Sequence, residues 1–236
     1  MAVNKDSDGY TFLFAITLVV IVGAGLAAVS MGLKPMQEKN VEIKKKMDIL
    51  GALQVETSRT DATEQYDKYI KSDECVVINS NGDVKEGLVA FDIDIKKQYR
   101  DKTLKPSDRD FPLYVAEVDG SVKYIIPVVG SGLWGPIWGY LSINEDKETV
   151  FGATFDHKGE TPGLGAEIKQ AFYYEQYMGE KISSGGDFSM IKSVKDGSGK
   201  DLGKVDGITG GTITSKGVEE MVNRTIEVYV KYFNKI

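Results

Sequence analysis

The sequence predicts an α+β domain carried behind a single N-terminal transmembrane helix. An uncharged apolar run spans Thr11 to Leu33, short β-type runs punctuated by glycine turns fill the chain from Cys75 to Phe155, and an amphipathic helical pattern closes it from Lys216 to Phe233. With 236 residues, of which 27% are charged, there is room for one ordinary soluble domain plus an anchor.

Residues 1–10 form a short polar tail. The run Thr11 to Leu33 matches the roughly twenty apolar residues that cross a bilayer as a helix. Ala28-Val29-Ser30 resembles a signal-peptide cleavage site, but the run is longer than the usual secretory core and its leading segment is barely basic, so residues 11–33 are read as an anchor. Residues 34–72 read as a helical stalk: Lys34 to Leu50 is lysine-rich, and Asp61 to Lys71 carries widely spaced apolar residues.

Residues 73–236 form the α+β domain. Two hairpins are expected: Cys75 to Ile78 with Leu88 to Ile95 around an Asn81-Gly82 turn, and Leu113 to Val118 with Val122 to Val129 around Asp119-Gly120. Two further strands follow at Trp138 to Ile143 and Val150 to Phe155, then a helix from Glu167 to Tyr177 and glycine/serine turns at Ser183 to Gly186 and Gly197 to Gly199. In the last helix Val218, Met221, Val222, Tyr229 and Tyr232 share the face that packs on a core.

Composition excludes several chemistries. A net charge of -6 without a long basic block provides no footprint for a phosphate backbone, so no nucleic-acid partner is expected. One cysteine, Cys75, and one histidine, His157, leave no basis for an internal disulfide, a zinc site or an iron-sulfur site. His157 lies in a Gly/Pro-flanked stretch without a nucleophile elbow, and no catalytic acid, base or nucleophile is assigned.

Three segments stand out. Asp206 to Ser215 (DGITGGTITS) leads into the last helix, with Thr214 or Ser215 available as its N-cap. It is either a tight turn and cap or a phosphate site, because a helix N-terminus offers unpaired N–H groups and glycines allow close approach. Glu160 to Gly165 (ETPGLG) is a Pro-Gly turn, or a loop presenting the Thr161 hydroxyl, backbone N–H groups and Leu164 to a ring. Gly130 to Tyr140 (GSGLWGPIWGY) places Trp134 and Trp138 along an edge strand interrupted by Pro136; the tryptophans serve the core or, for Trp134 above all, a ligand.

Asp206 to Thr214 resembles the pattern Asp-x-x-Ser/Thr-Gly-Ala-Ser/Thr-x-Ser/Thr at which a flavin transferase attaches FMN through its phosphate, with the acceptor at Thr212; Gly211 stands where that pattern has Ala. Glu160 to Gly165 resembles the flavin-contacting loop of the same FMN-binding domain family, and the segment from Gly132-Leu133-Trp134 to Gly139 resembles a Gly-Leu-Trp-x-x-x-x-Gly stretch of the sodium-translocating NADH:quinone reductases. In this order, behind one span, the three segments are together similar to the NqrC family, which belongs to the sodium-translocating NADH:quinone reductases, over nearly the whole chain. The flavin-carrying subunit of the related ferredoxin:NAD reductase complex shares the Thr-Pro-Gly-Leu-Gly loop and the threonine motif; the tryptophan segment and the insertion from about Gly51 to Gly120 favour the quinone reductase.

The resemblance implies a mixed α+β FMN-binding domain, with its FMN-binding region at about residues 120–236. It implies FMN held by a phosphoester to Thr212, with Asp206 in the attachment motif. Trp134, Glu160, Thr161, Leu164, Gly165, Thr209, Gly210, Gly211 and Thr214 are then the cofactor-binding residues, Glu160 as an orienting or potential-tuning group. No metal is implied. The implied partners are the other subunits of a six-subunit membrane complex that passes electrons from NADH to quinone and exports sodium, a flavin transferase during maturation, and the lipid bilayer. Other readings are a stand-alone FMN redox protein and an anchored, non-enzymatic scaffold.

The family places its flavin domain on the periplasmic side of the bacterial inner membrane. The charge pattern disagrees: Lys5, beside Asp6 and Asp8, precedes the span, whereas Lys34, Lys39, Lys44, Lys45 and Lys46 follow it, which points the domain to the cytoplasm. The periplasmic side is expected, because attachment requires the transferase's compartment. Asn223-Arg224-Thr225 matches a glycosylation triplet inside a predicted helix and receives no role.

Overall fold

The computed structural model describes residues 7–236. Lys5, Asp6 and most of the expected tail lie outside the described residues. The chain divides into two units, residues 1–45 and 46–236, a boundary inside the segment read as a stalk.

Helix α1, Asp8–Ala52, runs without a break through Pro35. Its N-terminal part is long and apolar enough to cross a membrane, with Phe12, Leu13, Ile16 and Val20 exposed on it. Its last turn belongs to the second unit, where Ile49, Leu50 and Ala52 are buried.

The second unit is built on one antiparallel sheet of five strands in sequential order: β1 (Val76–Ile78), β2 (Phe111–Val118), β3 (Ser121–Ser131), β4 (Pro136–Asn144) and β5 (Val150–His157). Neighbouring side chains on a strand point to opposite faces, and the core divides accordingly. Ile78, Leu113, Ile126 and Leu141 belong to one cluster, while Val77, Tyr114, Ile125 and Tyr140, each adjacent in sequence, belong to the other.

Helix α5, Thr212–Phe233, covers the first face with Val218, Met221, Val222, Ile226 and Tyr229. The end of α1 and helix α2, Ala62–Tyr69, cover the second, where the Ser142 hydroxyl donates to the Ala52 carbonyl and the Thr154 hydroxyl to the Asp48 carbonyl. The sheet is thus a wall between two cores, and α5 makes one edge of the site described below.

The second expected hairpin forms as β2 and β3, with Asp119 and Gly120 at φ 51° and 76°, the left-handed pair of a tight hairpin turn. The first does not form as expected. β1 pairs with β2, and the chain returning from Asn81-Gly82 makes only a bridge at Val84. Leu88 to Ile95 is not a strand: Ala90–Asp92 is a 3-10 turn, and Asp94 caps helix α3, Ile95–Arg100, by accepting from the Lys97 N–H. That cap, together with burial of Ala90 in the second cluster, outcompetes the alternating pattern.

The helix expected from Glu167 to Tyr177 is broken into a 3-10 turn at Gly165–Lys169, a short α4 at Ala171–Tyr174 and a second 3-10 turn at Glu175–Tyr177, because Gln170 is extended. Tyr173 and Tyr177 retain the helical spacing and pack edge-on against Phe155. β4 is an interior strand rather than an edge, and Pro136 opens it instead of interrupting it. Small elements complete the fold: a β6–β7 hairpin (Ser183–Ser184, Asp187–Phe188) and a parallel pair, β8 (Lys192–Val194) with β9 (Lys204–Asp206).

Candidate functional site

Helix α5 begins at Thr212, earlier than the expected Lys216, with Gly211 in the N-cap position and no side-chain cap. Thr214 and Ser215 are therefore first-turn residues and not caps. The Ser215 hydroxyl donates to the Gly211 carbonyl at 3.0 Å and accepts the Ile208 N–H at 2.9 Å, so it closes the turn that precedes the helix. No side chain among the described residues serves the first-turn N–H groups of Thr212, Ile213 and Thr214, and these orphan donors stand at the positive end of the helix dipole. Gly210 adopts φ +77°, and a methyl group there would lie 2.6 Å from Leu164 Cδ2. That conformation is left-handed and favours glycine.

The Thr161 loop is a type II turn: Gly163 has φ 75°, and the Leu164 N–H donates to the Thr161 carbonyl at 3.1 Å. The same carbonyl accepts the Ala166 N–H at 3.2 Å, which ties the turn to the 3-10 segment behind it. Thr161 and Leu164 are exposed, while Gly165 is buried against the first turn of α5.

Glu160 links the two segments. Its carboxylate accepts the Thr214 hydroxyl at 2.6 Å and the Trp134 N–H at 2.7 Å. Its own N–H donates to His157 Nδ1 at 3.1 Å. The structure thereby gathers Trp134, Glu160, Thr161, Leu164, Gly165, Gly210, Gly211, Thr212 and Thr214 around the N-terminus of α5, with Thr209 exposed in the turn before it. Thr212 is half-buried, and its hydroxyl has no hydrogen-bond partner among the described residues.

Asp206 stands apart from this cluster: it closes β9, and its carboxylate accepts the Gly199 N–H at 3.1 Å, which holds the adjoining loop. Trp138 also lies elsewhere, with the Lys96 ammonium 3.8 Å from its ring centroid. Sequence reasoning missed Leu133 and Ile213, exposed apolar side chains on the β3–β4 loop and the first turn of α5, and offered Ser215 only as a cap, whereas its hydroxyl organises the turn. Exposed apolar residues beside glycine-rich turns were the available signal for the first two.

Polar donors converge at the helix terminus while Leu133, Trp134 (67% exposed), Leu164 and Ile213 offer apolar surface beside it. A ligand with a phosphate at one end and a flat aromatic system at the other fits that combination. Burial pushes the Tyr173 and Tyr177 phenols up, so both stay neutral where they pack against Phe155. Among the described residues there is no cluster of acidic, histidine or cysteine side chains able to hold a metal.

Comparison with known proteins gives three findings. Residues 132–227 match the family model of the FMN-binding domain, a span that covers the Trp134 loop, the Thr161 turn and the Thr212 segment. The chain is 30% identical to the NqrC subunit of the Na+-translocating NADH-quinone reductase of Neisseria meningitidis over 99% of its own length and 96% of that relative, and 29% identical to that of Haemophilus ducreyi over 92% and 88%. Its fold is similar to the crystal structure of the same reductase subunit from Parabacteroides distasonis, with a TM-score of 0.75, 42% identity, and coverage of 85% of this chain and 96% of that one.

Proposed function

The chain belongs to the NqrC family of Na+-translocating NADH-quinone reductase subunits, and from that premise we propose that it carries FMN in phosphoester linkage on Thr212 and relays electrons inside such a complex. The observation that carries the reading is the uncapped N-terminus of α5, whose first residue, Thr212, is half-buried with no hydrogen-bond partner for its hydroxyl among the described residues. Bound there, FMN would accept and donate electrons one at a time between the other redox centres of the complex.

The chain's own residues hold and orient the group. The N–H groups of Thr212, Ile213 and Thr214 would hold the phosphate, and the helix dipole would favour its remaining negative charge by roughly 0.3–1 kcal/mol. The Gly210 turn lets the backbone approach closely, and a methyl group on Gly211 would lie 3.2 Å from the Gly165 N of the facing loop. Leu164 and Trp134 provide apolar cover for the ring system, and Thr161 and the backbone of its turn provide polar contacts at the ring edge. Asp206 contributes to the attachment motif by shaping the approach to the turn, since its carboxylate is engaged with Gly199. A tethered cofactor suits a domain that exchanges electrons with changing neighbours and must not lose it.

α1 anchors the domain in the inner membrane, and the domain faces the periplasm, where the flavin transferase acts on it. One of the lysines that opposes this orientation is accounted for: Lys46 is buried, 5.6 Å and 5.7 Å from the ring centroids of Tyr66 and Phe91, so it is a core residue and not a juxtamembrane charge. Protease protection of the domain in intact spheroplasts would overturn the periplasmic assignment.

The attachment is tested by mass spectrometry of the tryptic peptide 205–216, made in cells that contain the transferase. The expected product carries the mass of FMN less one water on Thr212. A bare peptide from such cells would overturn the proposal.

A further inference from the structure

The Thr161 loop and the attachment segment meet through one carboxylate, that of Glu160. Glu160 is 5% exposed, and both of its oxygens are engaged, one by the Thr214 hydroxyl and one by the Trp134 N–H. No lysine or arginine among the described residues pairs with it. A buried carboxylate without a cation is costly unless hydrogen bonds and a favourable dipole offset the desolvation, and two short bonds at the N-terminus of α5 supply both.

Two glycines make room for it. A methyl group on Gly132 would lie 2.6 Å from Glu160 Oε1, and one on Gly165 would lie 2.4 Å from Oε2 and 2.5 Å from the Thr214 hydroxyl oxygen. The β3–β4 loop, the Thr161 loop and α5 therefore close around a single carboxyl group.

We propose that Glu160 is a positioning residue, which locks the first turn of α5 and the Trp134 loop into one cradle through the Thr214 hydroxyl and the Trp134 N–H. The proposal deepens the reading of Thr212 as the flavin attachment point. A serine or threonine in the first turns of a helix otherwise turns its hydroxyl toward a backbone carbonyl, as Ser215 does toward Gly211. Glu160 draws Thr214 the other way. By accepting from the hydroxyl and not from the amides, it leaves the N–H groups of Thr212, Ile213 and Thr214 to the phosphate. Its negative charge stays beside the cradle, where it opposes the build-up of charge on reduction.

Two measurements test this on the full-length chain in detergent. The first uses chains made in cells without the flavin transferase, so its outcome is independent of which residue accepts the flavin. There, Glu160→Gln and Thr214→Val should each speed hydrogen exchange of the amides of residues 215–218, the first that the helix hydrogen-bonds, at least tenfold, the double variant should exchange no faster than the faster single, and Thr214→Ser should behave as the parent. Amides of residues 226–232 should be unchanged. Additive effects of the two substitutions, or unchanged exchange at residues 215–218, would overturn the lock.

The second measurement compares flavinylated chains. Glu160→Gln should raise the midpoint potential, whereas Thr214→Ser should leave it at the parental value. An unaltered potential in Glu160→Gln would overturn the charge role. A parent chain without flavin on Thr212 would instead remove the attachment reading, while the exchange result would still judge the lock.

Discussion

Gly217, in the second turn of α5, packs so tightly on the end of β3 that a methyl group on it would stand 2.2 Å from the carbonyl oxygen of Ser131. The same methyl group would lie 3.3 Å from Ile137 Cδ1, at the start of β4. The helix that carries Thr212 is thus pinned at the point where the Trp134 loop leaves the sheet.

Gly217→Ala distinguishes this packing from helix propensity. On propensity alone an alanine within a helix would gain up to about 1 kcal/mol over glycine. Contact with a backbone carbonyl predicts the opposite, a loss of about 1–3 kcal/mol from overpacking, together with lower flavin incorporation as the helix start is displaced. Urea unfolding of the variant decides the sign, and a stabilised Gly217→Ala would refute the close approach.

Thr212 is half-buried without a side-chain partner, so its replacement should separate attachment from folding. Thr212→Ala is expected to abolish flavin fluorescence of the chain on a denaturing gel while changing stability by less than about 0.5 kcal/mol. Thr212→Ser retains a hydroxyl at the same backbone position and should restore the fluorescent band at least in part. A fluorescent Thr212→Ala chain would show that another side chain is the acceptor.

The two glycines before Thr212 should respond differently. Gly210 is left-handed, and its added methyl group would meet Leu164, so Gly210→Ala combines about 1–2 kcal/mol of backbone strain with displacement of the Thr161 loop. Gly211 has an ordinary φ of -102°, and a methyl group there would press on Ile208 Cγ2 at 3.0 Å and the Gly165 N at 3.2 Å. Gly211→Ala asks neighbours to move by only a few tenths of an ångström, so it should cost less and retain most of its flavin. Paired measurements of thermal midpoint and flavin content check the order; equal losses would count against it.

These contrasts show what was legible in the sequence. The apolar helix, the Asp119-Gly120 hairpin and the amphipathic face of α5 are local patterns, and local patterns survive folding. Leu88 to Ile95 alternated like a strand, but Asp94 found a helix to cap and Ala90 found a core to enter, and neither alternative is visible in periodicity. The start of α5 was misplaced because Thr214 and Ser215 have the chemistry of caps; which hydroxyl caps and which bonds elsewhere is decided by distant partners. The pairing of Glu160 with Thr214 spans 54 residues and exists only because β5 delivers its C-terminal loop to the first turn of α5. The resemblance of both segments to one family implied that they meet, while the atom that joins them emerged only from the fold.

Glu180 provides a test by pH that is remote from the flavin. It is buried, and burial pushes its carboxyl up from the ordinary carboxylate range, only partly opposed by the Gly203 N–H that donates to it at 2.5 Å. A raised acid in the folded state means that the folded chain holds its proton more tightly than the unfolded chain. Its favourable contribution is therefore fully present below the unfolded value and is lost as pH rises through the folded one. Glu180→Gln keeps an oxygen for Gly203 and removes the titration. The variant's stability relative to the parent should accordingly improve from about pH 4 to about pH 7, measured by urea unfolding at both. A difference that stays constant over this range, or that moves in favour of the parent, would mean that the Glu180 carboxylate is not penalised by its burial.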